Sequence, residues 1–156
     1  MRTAILPAAL LCFGLATPSS AQQWTPEQQS VIAATNGCWE SWGTEDWDAY
    51  LAACPIDPGV RFWWMADGTP DYGLDSWKRW ADAFWPRMEV LIHFEHRPLG
   101  VQIHGDVALY QFWASWSFVD GNGQEQTMSQ HRMDVYQRRD GSWTLIGGAG
   151  VPAPGT

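Results

Sequence analysis

The chain has 156 residues, a formal net charge of −8 at pH 7 and no run of Lys or Arg. That balance repels nucleic acid and anionic membrane surfaces, and no stretch reaches the ~20 consecutive apolar residues of a membrane helix. Twelve tryptophans are far more than packing of an average small domain uses, so aromatic side chains must dominate either the core or a recognition surface.

Residues 1–21 read as a secretory signal peptide: Arg2 precedes an apolar run from Ala4 to Leu15, and the segment closes on Ser19-Ser20-Ala21. Leu11 stands before Cys12 where lipoprotein processing wants a small side chain, so anchoring is not expected. Cleavage leaves residues 22–156 as one exported domain, periplasmic or secreted, with eight basic against seventeen acidic groups and a net charge of −9. Cys38 and Cys54 then remain. An oxidising compartment permits them to pair, and burial as two small hydrophobes on helix faces is the other reading.

Thr25-Pro26-Glu27-Gln28 offers an N-cap hydroxyl, a proline at the first helical position and a glutamine for a capping box, predicting a helix to about Trp42. Gly43-Thr44-Glu45-Asp46 restarts the chain, and Trp47, Tyr50, Leu51 and Cys54 follow at helical spacing up to Pro55. A strand from Val60 to Met65 and a turn-rich loop from Asp67 to Gly73 come next. Asp75 is expected to cap a third helix, carrying Trp77, Trp80, Phe84 and Trp85 on one stripe and stopped by Pro86. Beyond it the chain reads as a β-meander, with turns at Pro98 to Gly100, Gly105-Asp106, Asp120 to Gly123 and Asp140-Gly141. The run from Val107 to Val119 would span about 40 Å at ~3.3 Å per residue, so it must bend, and bending makes a concave side.

Alternation assigns faces, the uniformly apolar face being the buried one. On the longest strand Ala108, Tyr110, Phe112, Ala114, Trp116 and Phe118 face inward, with Leu109 and Trp113 outward. By the same test Val90, Ile92 and Phe94 bring His96 inward, and Val60 and Phe62 bring Trp64. On the fifth strand Met133 and Val135 mark the inner side, which places Thr127, Ser129 and His131 inward and Arg132, Asp134 and Tyr136 outward. The result is an apolar pocket floor with a hydrogen-bonding rim, the composition of a small-molecule site. His131 is the first candidate for proton transfer, and Tyr110 a donor to a developing oxyanion. Trp64, Trp85, His96, Phe112, Trp116, Ser129 and Met133 complete the expected lining. No metal is expected, because His93 and Glu95 point away from His96 on a strand and two ligands fall short of a zinc site. No cofactor is implied.

Gly68-x-Pro70-x-x-Gly73 before the third helix, Gly105-Asp106-Val107-Ala108, and the Asp140-Gly141-Ser142-Trp143 hairpin resemble the SnoaL-like, DUF4440-like branch of the nuclear transport factor 2 (NTF2-like) superfamily. The resemblance covers nearly the whole of residues 22–156. It implies an α+β cone, with three N-terminal helices packed on a strongly curved, mainly antiparallel six-stranded sheet around a pocket. The aspartate base of steroid isomerases on this fold would fall near Trp64, and a final-strand histidine common in DUF4440-like sequences is missing from Trp143 to Gly150. Two functions follow as expectations. One is binding of a small apolar or aromatic molecule, with stacking on Trp64 and Trp116. The other is a SnoaL-like cyclase, lyase or isomerase using His131 and Tyr110. Outward Leu109 and Trp113 form an apolar patch that fits a homodimer.

Overall fold

The computed structural model describes residues 22–64 and 70–153. The expected signal peptide lies outside the described residues, as does the side chain of Trp64. Helix α1 (Pro26–Trp42) begins with the expected box: Thr25 Oγ1 accepts from Gln28 N at 3.2 Å, and Gln28 Oε1 accepts from Thr25 N at 3.0 Å. The Gln28 amide also donates to the Val101 carbonyl at 2.9 Å, tying the helix start to the sheet. Asp46 caps α2 (Trp47–Ala53) by accepting from the Asp48 and Ala49 amides. Cys38 and Cys54 are paired as a disulfide that joins α1 to the end of α2. Helix α3 (Leu74–Phe84) starts from Gly73, which adopts φ 79°, so Asp75 sits in the first turn rather than at the cap.

The strands are β1 (Ile56–Trp64), β2 (Pro70–Tyr72), β3 (Met88–His104), β4 (Val107–Asp120), β5 (Glu125–Arg139) and β6 (Ser142–Pro152). They form one curled mixed sheet in the order β2-β1-β6-β5-β4-β3, in which β1 and β6 run parallel and the other neighbours antiparallel. Five strands are long, and the three-residue β2 extends one edge. The turn expected at Pro98 to Gly100 is instead a register shift inside the continuous β3.

The concave face holds the core. Trp42 is its centre, with the rings of Tyr50, Trp77, Trp80 and Trp85 at centroid distances of 5.2, 5.5, 5.4 and 5.0 Å. Trp77 stacks in turn on Phe62 of β1 at 4.7 Å. The helices thus fill the cone with aromatic rings, which interlock by edge and by offset face.

Two faces differ from the alternation expected of them. On β3, register shifts between Met88 and Val90 and between Leu91 and His93 break the two-residue period. Met88, Leu91 and Phe94 therefore meet the core, while Val90 and Ile92 are 54% and 51% exposed. On β5 the faces are exchanged. Arg132, Asp134 and Tyr136 are buried, whereas His131 and Met133 are exposed on the convex side. The pairing explains it: His131 lies opposite Trp113 and Met133 opposite Gln111, and directly paired residues share a face.

Candidate functional site

Asn36, Trp39 and Glu40 share one face of α1 by their spacing, and that face looks onto β3. Between them lies an open cleft of about 410 Å³ lined by Asn36, Trp39, Glu40, Leu91, Phe94 and His96. Phe94 and His96 share that side by alternation, and the register shift between Leu91 and His93 adds Leu91 to it. Trp39, Phe94 and His96 form a ladder of nearly parallel rings, with centroids 5.6 Å apart for the first pair and 6.5 Å for the second.

His96 and Tyr110, expected in separate roles, are hydrogen-bonded to each other: Tyr110 Oη lies 2.7 Å from His96 Nε2. Burial lowers the His96 pKa to about 4, so the imidazole is neutral at neutral pH. Burial, and then the Asp134 carboxylate, push the Tyr110 phenol above its ordinary range. The phenol therefore keeps its proton. With Tyr110 donating to Nε2, the ring proton sits on Nδ1, which has no hydrogen-bond partner among the described residues. The pair places a neutral polar group, His96, in the wall of an aromatic cleft, with the buried Tyr110 behind it. It can take part in hydrogen bonds to a ligand without carrying charge.

Behind Trp39 is the feature that alternation hid. The Arg132 guanidinium donates to Asp134 Oδ1 through Nη2 at 2.9 Å and Nε at 3.3 Å, with the two side chains 2% and 3% exposed. It also lies over the rings of Trp39, Phe62 and Phe112, at 5.1, 5.5 and 5.9 Å from their centroids. Burial raises the Asp134 pKa even though Arg132 opposes that rise. Room for the carboxylate comes from β6. A Cβ on Gly148, the residue paired with Asp134, would stand 2.4 Å from Asp134 Oδ1. Around the pair, Tyr136 Oη and Thr35 Oγ1 are hydrogen-bonded at 2.7 Å, and Trp77 Nε1 donates to Tyr50 Oη at 3.1 Å.

The other expected lining residues have different places. Phe112 and Trp116 are buried behind the cleft, packed edge-on against Trp39 at 6.4 and 5.0 Å. Trp85 is buried beside Trp42 and Trp47, and its Nε1 has no hydrogen-bond partner among the described residues. Ser129 is on the convex face, where its hydroxyl meets that of Ser115 at 3.0 Å. Met133 lies against a shallow depression on that face with Leu109 and Gln111. His131 is there too, far in register from Tyr110, whose partner strand position is Asp134. The described residues contain no group of three or more His, Cys, Asp or Glu placed to hold a metal. A second cleft, of about 700 Å³, opens between α3 and the β4–β5 hairpin, with Trp80, Phe84, Phe118, Gln126 and Met128 in its wall. Its one acid, Asp120, is occupied by the hairpin, accepting from the Asn122 and Gln124 amides and from the Gln126 side chain.

Sequence reasoning missed Arg132, Asp134, Asn36 and Glu40 as residues of this region. The signal was present. Gly121 to Gln124 closes the β4–β5 hairpin with Val119 opposite Glu125, which fixes every odd residue of β5 on the face of Leu109 and Trp113.

Comparison with solved structures places the fold. A conserved protein from Planctomyces limnophilus superposes with a TM-score of 0.71 at 14% identity, covering 82% of this chain and 97% of that one. The CaMKII hub of S. rosetta gives 0.65 at 22% identity, covering 80% and 95%. An NTF2-like superfamily protein from Salmonella enterica serovar Typhimurium gives 0.66 at 14%, covering 82% and 92%. Residues 27–150 match the family model described as the calcium/calmodulin dependent protein kinase II association domain. By that match the chain belongs to the association-domain family, within the NTF2-like superfamily that its turns and hairpin resemble.

Proposed function

We propose that this protein is a self-associating domain that binds a small, mainly apolar or aromatic molecule in the cleft between α1 and β3. The observation that carries the reading is the Tyr110–His96 hydrogen bond of 2.7 Å at the floor of a cleft walled by Trp39, Leu91 and Phe94. Apolar walls supply affinity, and one neutral donor–acceptor pair fixes orientation. Incubating the protein, and its His96→Leu variant, with a metabolite extract and identifying what each retains or consumes by mass spectrometry tests this. A compound retained unchanged by the parent and lost by the variant is the expected result. Equal retention by both would remove the cleft from the account.

The catalytic alternative, closer to SnoaL-like cyclases and lyases, rests on the same pair. It uses the other tautomer, in which His96 Nε2 donates to the Tyr110 hydroxyl oxygen and Nδ1 is free to accept a proton beside a carbonyl. Consumption rather than retention of the compound would favour it. His131, exposed on the convex face, has no part in either reading.

Self-association is supported by the family's description as an association domain. The convex face adds a physical reason, since Leu109, Trp113, Val135, Met133 and Val151 occupy adjoining paired positions there. Export follows from the reading of residues 1–21 as a signal peptide. The amino-terminal sequence of the protein recovered from its source tests that, with Gln22 expected first.

A further inference from the structure

The charges around the cleft are one-sided. Besides the imidazole, the described residues of the lining hold a single ionisable group, Glu40, at an exposed position on α1. Among the described residues Glu40 makes no ion pair. The Asn36 amide stands one helical turn before it on the same face and brings a second oxygen to that side. Among the described residues no lysine or arginine lines the cleft. Arg132 lies beneath Trp39 with its charge matched by Asp134, and Arg97 is bonded to Glu95 and rests over the outward Trp113 ring at 4.9 Å. The imidazole adds no positive charge near neutrality. The protein as a whole is strongly negative.

We propose that the cleft selects a small organic cation, an arylalkyl or alkyl ammonium whose apolar body lies against Leu91 and Phe94 and whose nitrogen meets the Glu40 carboxylate and the Asn36 amide oxygen. An anion of the same shape meets a like charge at the rim and no donor beyond neutral side chains. A neutral analogue keeps the apolar contact and loses the ion pair. The inference rests on the small-molecule reading of this cleft and adds the class of ligand to it.

Three probes of one shape separate the possibilities: 2-phenylethylammonium, 2-phenylethanol and phenylacetate, titrated into the intact domain and followed through the His96 ring resonance. The ammonium should bind about fivefold tighter than the alcohol, the yield of a solvent-exposed ion pair, and phenylacetate should bind more weakly than either. Raising the salt concentration should narrow the difference. Glu40→Gln, at an exposed helical position where glutamine is tolerated equally well, should bring the ammonium to the affinity of the alcohol. Equal binding of ammonium and alcohol by the parent, tightest binding of phenylacetate, or an ammonium preference that survives Glu40→Gln overturns the cation assignment while the cleft stays a binding site. Failure of all three probes to move the His96 resonance overturns both the assignment and the small-molecule reading.

Discussion

His96 carries a pH dependence whose sign follows from its burial. Its folded-state pKa of about 4 lies below the ordinary 6.5, so the unfolded chain takes up the proton first as pH falls. Its contribution to stability is therefore whole above about 6.5, declines between about 6.5 and 4, and is constant below that. Denaturant midpoints measured across this range should show the decline in the parent and a shallower one in His96→Gln. Deeper in, Arg132 and Asp134 differ from a stabilising surface pair. Burial raises the Asp134 pKa against the pull of Arg132, so the pair adds little net stability yet cannot be halved. Arg132→Met, which leaves Asp134 buried alone, should cost about 3–5 kcal/mol by urea unfolding. Replacing both by apolar residues should cost less than that single change.

At the scale of elements, the disulfide and the glycines of β6 do separate jobs. Cys38 and Cys54 close a loop of sequence separation 16 and hold α2 against α1. Replacing both by serine should lower stability by about 3 kcal/mol, as judged by the unfolding midpoint. Gly148→Ala should cost about 1–3 kcal/mol, because its Cβ would meet the Asp134 carboxylate at 2.4 Å and the Met133 carbonyl at 3.0 Å. The helices were legible in the sequence because capping at Thr25 and the spacing of Trp47, Tyr50 and Leu51 are local signals. The inner face of β4 was legible because it is uniformly apolar. β5 was not, since the apolar test assigns Met133 inward and the charged Arg132 and Asp134 outward, and it cannot see that two opposite charges pair in the core. β3 was misread for another reason: its register shifts exchange a two-residue period for contacts at Met88, Leu91 and Phe94. The first misreading sent Ser129, His131 and Met133 to the wrong face and the second hid Leu91, while Phe94 and His96 kept the side expected of them.

For the whole molecule, the filled cone directs attention to its margins. Trp42, Trp77 and Trp85 occupy the interior, so the proposed ligand site is the open cleft beside α1 and the proposed assembly surface the convex face. Met133 and Val151, each 39% exposed, lie within that face. Light scattering coupled to size exclusion should give an oligomer for the parent and a smaller species for Met133→Lys. Binding of small molecules by His96, paired with Tyr110, in the α1–β3 cleft is the proposal on which the other readings depend. It is tested most directly by spectra of histidine-labelled protein recorded against pH, and again with a soluble library of small aromatic fragments. The His96 imidazole, identified by its loss in His96→Gln, should titrate near 4, and its signal should move with fragments that leave the other histidines unmoved. An His96 signal that titrates at the ordinary value and responds to no fragment would contradict it.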